Sequence, residues 1–69
     1  MREIRAGDRV LITDRSDRYQ GQRGTVERGE YAGILTGRLM VDVVIDGQTE
    51  TYATGYYLAQ VELLEAVAA

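Results

Sequence analysis

Sixty-nine residues, 45% of them apolar and with a net charge of −3, make one domain near the lower size limit for a chain that must bury its own core. Cysteine and histidine are both absent, which excludes a disulfide framework, a thiolate or imidazole metal site, and the commonest general base. The net acidity disfavours a whole-surface grip on a phosphate backbone, so duplex DNA is not an expected partner.

No run approaches the roughly 20 apolar residues of a membrane helix. The charged start MREIRAGDR lacks the apolar stretch of a signal peptide. A cytoplasmic protein without membrane contact is expected. Charge is unevenly spread. Residues 1–24 carry six Arg against four acids, whereas residues 25–69 carry two Arg, Arg28 and Arg38, against seven acids. A mildly basic first hairpin on an acidic body is a local footprint for an anion, or else ordinary mixed surface charge.

In chain order, residues 2–6 are a polar lead-in. Gly7-Asp8 is turn chemistry. Residues 9–13 are rich in β-branched side chains, and the period of two puts Val10 and Ile12 on a core face. Residues 14–20, DRSDRYQ, have no apolar periodicity and read as a loop that presents functional groups. Gly21 and Gly24 lead into a second strand over 23–28, with Val26 inward and Gly24 marking a bend or close backbone approach.

Residues 29–37, with glycines at 29, 33 and 37, read as a flexible connection, because glycine costs about 1 kcal/mol per position in a helix. The longest apolar run, 38–45, is a strand with Leu39, Val41, Val43 and Ile45 on one face and Met40, Asp42 and Val44 on the other. Asp46-Gly47 then favours a type I′ hairpin turn. Residues 48–53 are expected to return as the partner strand, 54–58 to form a tight turn, and 60–64 to be the last strand, burying Val61 and Leu63. Of the two adjacent tyrosines, Tyr57 is expected inside together with Leu58. Residues 65–69 read as a tail that frays, over 66–69, or extends as a short helix.

Five short strands without a layer-forming helix point to an all-β fold, a single small SH3-like barrel, since closure removes exposed sheet edges. The spacing Gly7-Asp8-x-Val10-x-Ile12, a polar loop, then Gly21-x-x-Gly24-x-Val26 resembles the KOW motif. That motif opens the small barrels of several ribosomal proteins and of NusG-type transcription elongation factors. Family modules that bind ribosomal RNA are usually Lys-rich, whereas the matching places here are Arg9, Gln20, Gln22 and Arg23. A looser resemblance, through Gly7–Val10, Gly24–Val26 and the stretch 57–62, is to the small barrel subunit on the stromal face of photosystem I. It implies that such barrels also serve as protein-docking modules.

Catalysis is not expected. No nucleophile–base pair, no Lys for a Schiff base, and no GxSxG or HExxH motif occurs. Gly21-x-x-Gly24 lacks the Lys-Ser/Thr of a phosphate-binding loop, so bends in a barrel explain it better. No cofactor or metal is expected. Arg15, Arg18, Tyr19 and Arg23 form the candidate partner-binding constellation, because Arg forks onto phosphate or carboxylate and Tyr offers a stacking face. The resemblance to KOW modules implies that this first loop meets RNA or a protein. The plainer alternative is a solvated loop in which Asp14 and Asp17 pair with the arginines.

Tyr31, with Ile34 and Leu35, adds a candidate apolar contact that also leaves a homodimer open. The expected function is a non-enzymatic interaction module on a transcription or translation machine, with a protein or ribonucleoprotein partner and RNA as one ligand. The alternative is a protein–protein adaptor or inhibitor that never touches nucleic acid. A polyproline-binding SH3 domain fits less well, since the chain has neither Trp nor Phe.

Overall fold

The computed structural model describes residues 3–48 and 52–67. It is all-β: β1 (Arg9–Ile12), β2 (Arg23–Ala32), β3 (Leu39–Ile45), β4 (Thr54–Tyr57) and β5 (Val61–Glu65), with one 3-10 turn, Leu58–Gln60, between β4 and β5. The strands form a single antiparallel sheet in the order β4-β3-β2-β1-β5. This is the expected all-β, small barrel-like fold, but the expected closure is absent, because the edge strands β4 and β5 are joined by the 3-10 turn rather than by a ladder. A radius of gyration of 11.2 Å matches the roughly 11 Å expected of a compact chain this long.

Alternation in the sequence builds the core directly. Val10 and Ile12 of β1, Val26 of β2, and Val41, Val43 and Ile45 of β3 are all buried, joined by Tyr56 and Val61. Leu63 is only half-buried and Leu39 is exposed, so the inward face of β3 starts at Val41. With no Phe or Trp in the chain, Tyr56 is the largest fully buried side chain.

Gly24 lies where β2 crosses β3. A Cβ there would stand 2.5 Å from Val43 Cγ1 and 2.7 Å from the Val44 carbonyl oxygen, so the close approach of two backbones requires glycine.

Four expectations are corrected. Residues 29–32 are not a flexible connection. They extend β2, and Gly29 lets the amino-terminal lead-in pass close by, with Glu30 N donating to Ile4 O (3.3 Å) and Ile4 N to Glu30 Oε2 (2.6 Å). Only residues 33–38 form the turn, closed by Gly33 N to Arg38 O and Gly37 N to Gly33 O, both 2.8 Å.

Second, the type I′ turn does not form. Gly47 has φ +78° but Asp46 does not enter the positive region, which that turn requires at both positions. Third, the partner strand of β3 is Thr54–Tyr57, in the register Val43↔Thr54, Val41↔Tyr56 and Met40↔Tyr57, where a tight turn was expected. Of the stretch 48–53, residues 49–51 lie outside the described residues, and 48, 52 and 53 are not in a strand. Fourth, Tyr56 rather than Tyr57 points inward, because the shifted register puts Tyr56 beside Val41 of the core face.

The tail is tied at Val67, whose N–H donates to the fully buried carboxylate of Asp8 (2.7 Å), which also accepts from Arg5 N (2.8 Å). Asp8 thus clamps the lead-in and the last described residue to the start of β1. Residues 68 and 69 lie outside the described residues. No helix among the described residues is long and apolar enough to cross a membrane.

Candidate functional site

The first loop, 13–22, is closed at its base by Ile12 N to Gln22 O and Gly21 N to Ile12 O, both 2.9 Å. Its two acids shape it from within. Asp14 accepts from Ser16 N (2.9 Å), Ser16 Oγ (2.8 Å) and Gln60 Nε2 (2.6 Å), linking the loop to the 3-10 turn. These bonds, that from Gln60 foremost, hold its carboxyl below the ordinary carboxylate value. Asp17 accepts from Tyr19 N and from the hydroxyl of buried Tyr56, both 2.9 Å. Burial first, and then the bond to Asp17, push the Tyr56 hydroxyl well above the ordinary phenol value.

The two acids are therefore taken up by the loop backbone and by Tyr56 and Gln60. Among the described residues neither pairs with Arg15 or Arg18, contrary to the solvated-loop alternative.

Arg15 and Arg18 are exposed, and the Arg18 guanidinium lies 4.8 Å from the centroid of the half-buried Tyr19 ring. Tyr19 packs its body against the core, which fixes the ring on which Arg18 rests. Arg23 opens β2 opposite Leu11. Its carbonyl accepts from Asp46 N (2.9 Å), and its charge reinforces Arg9 in holding the Asp46 carboxyl low. Arg9 is ion-paired to Asp46 and also donates to Thr25 Oγ1 (2.8 Å). The structure thus brings Arg15, Arg18 and Tyr19 together in one loop and places Arg23 at its foot, on the Arg9–Asp46 side.

Tyr31 belongs elsewhere. It is eight residues along β2 from Arg23, up to roughly 26 Å for a straight strand, and pairs with Met40. Its hydroxyl donates to Asp42, which raises the phenol above its ordinary value, and Arg28 lies 3.9 Å from its ring centroid. Sequence reasoning missed the companions Arg28, Arg38, Met40 and Tyr57. They are scattered over 30 positions and meet only through register, with Tyr31↔Met40 and Met40↔Tyr57 forming one row across three strands.

No cluster of three or more potential metal-ligating side chains occurs among the described residues. The loop presents two exposed arginines, Arg15 and Arg18, and the half-buried Tyr19 ring, while its two acids are engaged within the protein. Compared with known proteins, the chain matches no protein-family model, no curated protein and no solved structure.

Proposed function

We propose that this chain is a non-enzymatic interaction module of KOW type that docks through its first loop on a ribonucleoprotein partner of the transcription or translation machinery. The observation that carries the reading is the fate of the two loop acids. With Asp14 and Asp17 consumed by Ser16, Tyr19, Tyr56 and Gln60, the Arg15 and Arg18 guanidinia remain available to an external anion on a loop that is already shaped. A pre-ordered loop loses little entropy on binding. Forked guanidinium donors suit phosphate, and the Tyr19 ring beside Arg18 suits a base or a flat apolar contact. A cation-limited surface on an acidic body fits a few phosphates of a structured RNA better than an extended duplex.

The test is capture of partners from lysate by the tagged chain, with and without RNase, beside the quadruple variant Arg15→Ala, Arg18→Ala, Tyr19→Ala, Arg23→Ala. The expected result is a ribosomal or RNA-polymerase component retained only without RNase, released by salt, and lost with the variant. Retention of one protein through RNase and high salt, undiminished in the variant, overturns the reading in favour of a protein adaptor.

A further inference from the structure

The outer face of the sheet carries a second surface, built from residues that the first loop does not use. Tyr31, Met40 and Tyr57 lie side by side on β2, β3 and β4. Each ring is held in place. The Tyr31 hydroxyl donates to Asp42, and Arg28 and Arg38 lie over the Tyr31 and Tyr57 rings at 3.9 Å and 4.1 Å from the centroids. Beyond this row the 33–38 turn raises Ile34 and Leu35, which are 101% and 98% exposed and bury nothing of their own. Row and turn enclose an open groove of about 590 Å³.

Charge identifies the occupant. Residues 25–69 contain seven acids and only two cations; Arg28 lines this groove, and Arg38 lies over the ring of Tyr57, which lines it. Neither guanidinium forms an ion pair among the described residues, and Asp42, the acid on the same face, is engaged by Tyr31. The groove therefore offers an apolar floor and wall together with two available forked cations on an otherwise acidic body.

Nucleic acid fits it poorly. The wall of the groove, Ile34 and Leu35, is aliphatic and exposed and provides no stacking face for a base. We propose that the groove docks an acidic peptide segment of a partner protein. An apolar anchor side chain would sit on Met40 under Ile34 and Leu35, and flanking carboxylates would be forked by Arg28 and Arg38. This holds whichever partner the first loop takes.

The test is selection of random peptides of about twelve residues against the full chain, followed by fluorescence anisotropy with the selected peptide labelled with fluorescein. The expected peptides pair Asp or Glu with Leu, Ile or Phe. Their Kd should rise at least about tenfold in Arg28→Gln/Arg38→Gln and in Ile34→Ser/Leu35→Ser. The second variant changes only fully exposed side chains, so loss of folding does not confound it. Arg28→Lys/Arg38→Lys should recover part of the affinity, and Arg15→Gln/Arg18→Gln should leave it unchanged, which separates this groove from the first loop. Failure to select any peptide, peptides without acidic bias, or an affinity in either groove variant equal to that of wild type overturns the proposal. So does binding of fluorescein-labelled oligouridine that depends on Arg28 and Arg38.

Discussion

The first loop and the 33–38 turn are both largely exposed connections, and they are built on different plans. The first loop is anchored by side chains. Asp14 reaches Gln60, Asp17 reaches Tyr56, and Tyr19 packs on the core. The turn is closed by its own backbone, helped by Thr36 Oγ1 accepting from Arg38 N at 3.2 Å, and leaves Ile34 and Leu35 bare. Where side chains anchor a loop, its shape and the stability of the fold are one property. Where mainly backbone bonds close a turn, its apolar side chains are released for other contacts. Substitution of the anchoring side chains Asp14, Asp17 or Tyr19 in the first region should therefore disturb folding, whereas substitution of Ile34 or Leu35 in the second should disturb only recognition.

The harshest test of that contrast lies at the foot of the first loop. Gly24→Ala should destabilise the fold by about 3 kcal/mol, since its Cβ meets the β3 backbone as well as Val43 and neither can yield cheaply. Chemical denaturation measures it, and a loss below about 1 kcal/mol would mean that β2 and β3 can separate without strain.

Tyr56→Phe keeps the core ring and removes only the bond to Asp17, at a cost of about 1.5 kcal/mol. The same variant has a pH signature. The folded-state pKa of Tyr56 is raised, so the unfolded chain loses this proton first. The wild-type protein should then lose stability as pH rises above the ordinary phenol value of 10.0, and the Phe variant should lose less. Parallel alkaline unfolding curves for the two proteins would contradict the Tyr56–Asp17 link.

Asp14→Ala should have a smaller effect, present at neutral pH and vanishing in acid. The folded-state pKa of Asp14 is depressed, so its contribution is present above the ordinary value of 3.8 and disappears as pH falls through the folded value. Thermal melts from neutral pH downward should show wild type and variant converging at the acid end.

At the bottom of the scale, Ile34→Ser/Leu35→Ser should change stability by no more than about 0.5 kcal/mol. A larger loss would show that the turn is anchored by its side chains after all, and the contrast between the two regions would fail.

Much of the barrel was legible in the residues alone. Val10 and Ile12, Val26, and the Val41–Val43–Ile45 face were each readable because strand side chains alternate with a period of two, and every member of the pattern lies within a few residues of the next. Gly24 was legible as a close approach for the same local reason: a glycine inside a β pattern is out of place unless space demands it. The first loop could be placed, but not its construction. Asp14 and Asp17 sit next to arginines in sequence, and nothing local says that they reach Gln60 and Tyr56 instead, 46 and 39 residues away.

Register was decided by the tertiary structure alone. Two shifts in the β2–β3 pairing, between Val26 and Arg28 and between Arg28 and Tyr31, carry β2 past its expected end. The pairing of β3 with 54–57, where a tight turn was expected, sets which of two adjacent tyrosines enters the core. A shift of one residue exchanges the two faces of a strand, and its cost depends on partners that the local sequence does not contain. Composition and alternation were therefore enough to specify a small all-β sheet and the aliphatic part of its core. The row Tyr31–Met40–Tyr57, with the two arginines over its rings, exists only because distant strands settle into one register.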